Sequence, residues 1–216
     1  MTNTRGYVEF WTLPTVNAAA ADSLIGRLHG EFPEVLATAG FRSARLHVGF
    51  DTTTVLLRLE WSSSQAHDSF RESEFAQRLR LLDGRAGVTD PRCCGGELLA
   101  PLCGPDAGRS PEVVVLAVRH VGNRRNALAL LETLENTRVW KHDFSGFISA
   151  QVAISADGAT FINYPQWTSK NVFEAFVADP RNAAGQPDIA RLEAAEPEIL
   201  PCYFRSEVAR SSGNRE

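Results

Sequence analysis

Two stretches, Tyr7 to Leu13 and Val113 to His120, are rich in β-branched and aromatic residues and read as strands. Each is followed by apolar residues at helical spacing: Leu24, Ile25, Leu28 and Phe32 in one case, Ala127, Leu130, Leu131 and Leu134 in the other. Two further strands then flank an Asp turn, Asp51-Thr52 or Asp157-Gly158. A second helix starts after a Trp, with the Ser62–Ser64 run or Thr168-Ser169 as candidate N-caps. Its apolar stripe is Phe70, Phe75, Leu79 and Leu82 in the first case and Val172, Phe173, Phe176 and Val177 in the second. A last strand is expected near Gly96–Leu102 and Ile199–Val208.

The same order twice means an internal repeat. At an offset of 106 residues, Gly40 to Trp61 aligns without a gap on Gly146 to Trp167. Gly40/Gly146, Phe41/Phe147, Ser43/Ser149, Ala44/Ala150, Asp51/Asp157, Thr54/Thr160 and Trp61/Trp167 are identical. Val8/Val114, Asn17/Asn123, Leu24/Leu130, Ser63/Ser169 and Phe70/Phe176 extend the match. The expected class is α+β: two tandem ferredoxin-like βαββαβ domains, residues 1–103 and 112–216, joined by the Pro/Gly-rich linker 104–111. Helices on one sheet face leave the other bare, so the two copies are expected to pack sheet to sheet as a pseudo-dimeric α+β barrel.

Composition narrows the function. Of 216 residues 44% are hydrophobic and 22% charged, with a net charge of −4, which disfavours a nucleic-acid partner. The longest apolar run, Val113 to Val118, falls well short of the ~20 residues of a membrane helix. The N-terminus opens into a strand pattern rather than a signal core, so the expected location is the cytoplasm. Cys93, Cys94, Cys103 and Cys202 have no metal-ligand spacing and are expected to be free thiols. Neither a dinucleotide-binding glycine frame nor a His/carboxylate metal cluster is present, so no cofactor and no metal are expected.

Strand alternation puts Phe161, Asn163, Pro165 and Trp167 on one face of the third strand of the second half. Asn163 and Trp167 are then roughly 13 Å apart, room for a flat fused-ring molecule between an amide and an indole. The matching face in the first half is Val55, Leu57, Leu59 and Trp61. A buried Asn is costly unless bonded, which makes Asn163 a candidate, whereas a Trp at a strand end is commonly an anchor.

The segment Gly146-Phe147, Asp157-Gly158 and Asn163-Tyr164-Pro165-Gln166-Trp167 resembles the antibiotic biosynthesis monooxygenase family of dimeric α+β barrels. Asn-x-x-x-Trp ahead of the second helix is the specific part. The resemblance implies a cofactor-independent monooxygenase acting with O2 on a small aromatic substrate, a polyketide anthrone converted to a quinone. It implies Asn163 and Trp167 as catalytic, and Trp61, His47, Phe161, His120 and Phe176 as substrate-binding. The chain departs from the family pattern at three places. Ala153 stands where anthrone oxygenases tend to have a His, while His47 occupies that place in the first half, with Leu57 at the Asn position. Val118 and Arg119 stand where some members have a first-strand Asn. Arg71 and Val177 stand where haem-degrading relatives have a His. The second half is therefore the expected active one and the first a degenerate copy. A non-catalytic ligand-binding or assembly barrel and a cyclase or isomerase are the rival readings. The pseudo-dimer lies within one chain, and association of two chains into a further homodimer is left open.

Overall fold

The computed structural model describes residues 5–82, 84–136 and 138–210. Its elements are α+β and group into two units. The first takes in the residues up to Glu97 and those from Phe204 on, the second Leu98 to Tyr203. The first unit contains β1 (Tyr7–Pro14), α1 (Ala18–Leu36), β2 (Phe41–Gly49), β3 (Thr54–Trp61), α2 (Ser64–Arg71), α3 (Glu74–Arg80) and most of β4 (Arg92–Leu98). Its antiparallel sheet runs β4-β1-β3-β2, the ferredoxin-like order. The second contains β5 (Leu102–Cys103), β6 (Val113–His120), α4 (Arg124–Asn136), α5 (Arg138–His142), β7 (Phe147–Ile154), β8 (Thr160–Trp167), α6 (Lys170–Ala178), α7 (Pro180–Ala190) and the first half of β9 (Glu198–Ala209). Its order is β9-β6-β8-β7, with β5 added beyond β7.

The identities of the repeat sit where the backbone needs them. Asn17 and Asn123 each accept from the N–H three residues on, Ala20 and Asn126, capping α1 and α4. Ser63 and Ser169 cap α2 and α6 in the same way. Gly40 and Gly146 hold φ of 75° and 87°, and a Cβ on either would stand 2.5 Å from Ala66 or Val172. Asp51 accepts from the N–H groups of Thr53 and Thr54, and Asp157 from that of Ala159, which closes the two hairpins.

Three local expectations change. The last strand of the first half starts at Arg92 rather than Gly96, so Cys93 to Gly96 are strand. Glycine at 95 is required there because a Cβ would lie 2.6 Å from the Val8 carbonyl oxygen. Each second helix is two helices: Ser73 caps α3, and Asp179 followed by Pro180 starts α7. The stripe on α6 is only half-buried and Val177 is exposed, because Phe176 faces a cavity rather than a filled core. The four cysteines are unbridged. No described helix is long and apolar enough to cross a membrane.

Candidate active site

The cavity of the second unit has a sheet floor and a helical roof. Phe147, Ala150 and Val152 of β7 and Asn163, Pro165 and Trp167 of β8 form the floor. Leu131, Leu134 and Glu135 of α4, Lys141 of α5 and Phe176 of α6 cover it, and Ala100, Pro101 and Leu102 close one edge. The space is about 130 Å³ and open on one side. Pro165 marks a weak point of the floor. It has no N–H, and the β6–β8 ladder lapses between Val114↔Gln166 and Ala117↔Asn163.

One end of the cavity is aromatic. Trp167 packs on Phe176 at 4.5 Å and on Phe147 at 5.0 Å between ring centroids. Trp140 stacks on Phe176 at 5.4 Å, and the Arg181 guanidinium lies 4.8 Å from the Trp140 ring centroid. Asp179 accepts from Arg181 at 2.9 and 2.7 Å, which fixes that guanidinium.

Two polar atoms at the cavity lack a protein partner. Asn163 Oδ1 and Trp167 Nε1 are buried without a hydrogen bond. Trp61 Nε1 is likewise unbonded, in a core that is filled, so the bare indole N–H alone does not mark a site. The bare amide oxygen is unmatched in the first unit, where Leu57 stands in its place. An amide can present its oxygen or, turned over, its NH2, so position 163 can accept from a phenol or donate to a phenolate.

Of the sequence candidates, the cavity gathers Asn163, Trp167 and Phe176. Phe161 lies on the same strand face but is packed in an apolar cluster with Val152, Leu130 and Ile189. His120 ends β6 beside Glu198, with 3.2 Å from Nε2 to Oε1, and is 40% exposed; it is not a lining residue. Trp61 and His47 belong to the first unit. Trp61 is in its apolar core. His47, on β2, is buried 5.6 Å from the Phe204 ring. Burial, then Arg45 and Arg58, hold its imidazole well below the usual range, so it is neutral at pH 7.

Sequence reasoning missed Lys141. It lines the cavity, and burial with a smaller contribution from Arg119 pushes its ammonium down to about 8. Its signal was present in the repeat: the offset sets Lys141 against Val35, a fully buried core position. Lys141 is also one of two lysines in the chain, the other being Lys170.

No family model and no curated protein sequence matches the chain. Solved structures do. Over 96% of its length the chain is similar to an anthrone oxidase-like protein, covering 94% of that chain at 19% identity and TM-score 0.78. It is also similar to a ferredoxin-fold protein related to antibiotic biosynthesis monooxygenases from Listeria monocytogenes 4b F2365 (94% and 97% covered, 13% identity, TM-score 0.59). A heme-degrading enzyme from Listeria monocytogenes is a third (92% and 99% covered, 14% identity, TM-score 0.52). These likenesses establish a shared fold, and their different names show that the fold alone does not choose the reaction.

Proposed function

We propose that the cavity of the second unit is the active site of a cofactor-independent monooxygenase that oxidises a polycyclic aromatic polyketide, anthrone to quinone, with O2. The observation that carries this reading is the buried, unbonded Asn163 amide oxygen in an aromatic-walled cavity. An unpaired buried acceptor costs about 1–3 kcal/mol, a cost that a bound phenol hydroxyl removes. The neighbour named anthrone oxidase-like supports the substrate class.

The substrate carries the electrons. Water entering by the open side takes a benzylic proton, and the delocalised carbanion passes one electron to O2. Recombination of the radical pair gives a hydroperoxide, and loss of water leaves the quinone. One O2 is consumed per anthrone, one oxygen atom entering product and the other leaving as water. The protein binds the flat ring between Phe176 and the sheet, steadies the oxyanion with the Asn163 amide and Trp167 indole, and limits solvent access.

Oxygen uptake with emodin anthrone tests this. The expected stoichiometry is one O2 per anthrone, with Asn163→Ala lowering kcat/KM by about 100-fold and Trp167→Ala also impaired. A rate no higher than the uncatalysed one, with aromatic binding retained, would show a binding protein instead. Conversion in the absence of O2 would show an isomerase or cyclase.

A further inference from the structure

The proposed reaction begins by removing a benzylic proton, and water alone is a poor base for a C–H group. A carboxylate lines the same cavity. Glu135 of α4 is the one acidic side chain among the described lining residues, on the roof across from the strand that carries Asn163 and Trp167. It is an exposed residue, so it stands where the cavity opens to solvent. Its place in the helix is unfavourable on local grounds. One residue from the end of α4, its charge meets the negative end of the peptide dipoles, and no basic residue in that last turn offsets it. The other polar lining groups accept protons poorly. Asn163 is a neutral amide, and the Trp167 indole only donates. Lys141 loses its proton near pH 8 and is largely an ammonium at pH 7. No histidine is among the described lining residues.

We infer that Glu135 is the catalytic base of this cavity, taking the benzylic proton of a bound anthrone through the water that enters by the open side. The substrate class rests on the proposed function, but the proton transfer does not need O2. The benzylic C–H bond breaks as that water takes the hydrogen and passes one of its own protons to a Glu135 oxygen. The electron pair stays on the ring system as a carbanion delocalised to the carbonyl oxygen, where the Asn163 amide steadies it. After O2 has added, the proton held by Glu135 goes to the peroxide anion, which gives the hydroperoxide and restores the carboxylate. Roof and floor divide the work. The floor holds the developing oxyanion while the roof takes the proton, so both act in one transition state.

Deuterium exchange of emodin anthrone in oxygen-free D2O at neutral pD reads this step alone, followed by loss of the benzylic CH2 signal in proton NMR. The wild type is expected to speed exchange well beyond buffer, and Glu135→Gln to slow it by about 100-fold. Binding of 2-methylanthraquinone, followed by tryptophan fluorescence, should be the same in both, which shows that the variant is folded and that the loss is not one of affinity. Formate added to Glu135→Ala should restore part of the rate, a rescue that a merely structural role would not allow. With O2 present, Glu135→Gln should lower kcat and leave KM nearly unchanged. Exchange in Glu135→Gln as fast as in the wild type overturns the inference, as does a wild type that exchanges no faster than buffer. Exchange that depends on Glu135 without any O2 uptake would sink the oxygenase reading and leave the base in place.

Discussion

At the residue scale the two units provide each other's controls. Asn163 and Leu57 occupy the same place on the third strand, one beside a cavity and the other fully buried in packed core. Asn163→Leu removes an unbonded buried oxygen and fills space, so it should raise stability by about 1 kcal/mol while eliminating activity. Leu57→Asn puts an amide into a filled core and should cost about 3 kcal/mol or more, from lost burial and unmet hydrogen bonds. Urea unfolding midpoints of the two variants check both signs. Equal and small effects would mean that position 163 carries no functional strain. Asn163 was legible in the sequence because strand alternation fixes which face a residue takes. Lys141 was legible only by setting the two halves against each other, as a lysine opposite Val35, because a helix residue meets the opposite wall through tertiary packing and no local period records that meeting.

The elements show where sequence pattern suffices and where it fails. Strands and first helices follow from period and caps, since Asn17, Ser63, Asp51 and their counterparts act locally. The breaks between α2 and α3 and between α6 and α7 were obscured, since Ser73 and Asp179-Pro180 interrupt stripes that continue in register. A tie specific to the first unit joins three elements. His67 of α2 meets Glu9 of β1 with 3.2 Å from Nε2 to Oε1, and the Cys93 thiol of β4 donates to the same oxygen at 3.3 Å. Burial raises the Glu9 pKa, but the hydrogen bond and charge of His67 outweigh it and hold the carboxyl below its usual value. A depressed carboxylate contributes stability that is full above its unfolded pKa, about 4.5, and is lost as pH falls through the folded value. His67→Phe strands the Glu9 charge and should cost about 3–5 kcal/mol at pH 7, shrinking toward pH 4 as Glu9 takes a proton. The repeat suggests the repair. Its second copy has Val115 and Phe173 at these positions, so Glu9→Val with His67→Phe should recover most of the loss. Thermal unfolding at pH 4 and pH 7 distinguishes this from a simple packing defect, whose cost would not change with pH.

For the whole chain, the two units share one order of strands and helices and differ in how it is filled. At the 106-residue offset, the lining residues Leu134, Lys141, Phe147, Ala150, Val152, Asn163, Pro165, Trp167 and Phe176 meet Leu28, Val35, Phe41, Ala44, Leu46, Leu57, Leu59, Trp61 and Phe70. All nine of the latter lie in the core cluster of the first unit. Most of these pairs are apolar on both sides. The sequence alignment therefore displays the shared fold plainly, and the difference between a cavity and a core much less so. Two pairs carry that difference, Leu57 against Asn163 and Val35 against Lys141, each replacing a core hydrocarbon with a polar group. Polar groups at core positions are tolerated where water or ligand can meet them, and so they mark the unit that stayed open. The consequence is a count. Calorimetric titration with anthraquinone-2-carboxylate should give one site per chain, and Trp61→Phe should leave both the count and the affinity unchanged, whereas Trp167→Phe weakens binding. Two sites per chain, or a loss of binding in Trp61→Phe equal to that in Trp167→Phe, would show that the first unit binds as well, and would restore to Trp61 and His47 the ligand role that their burial argues against.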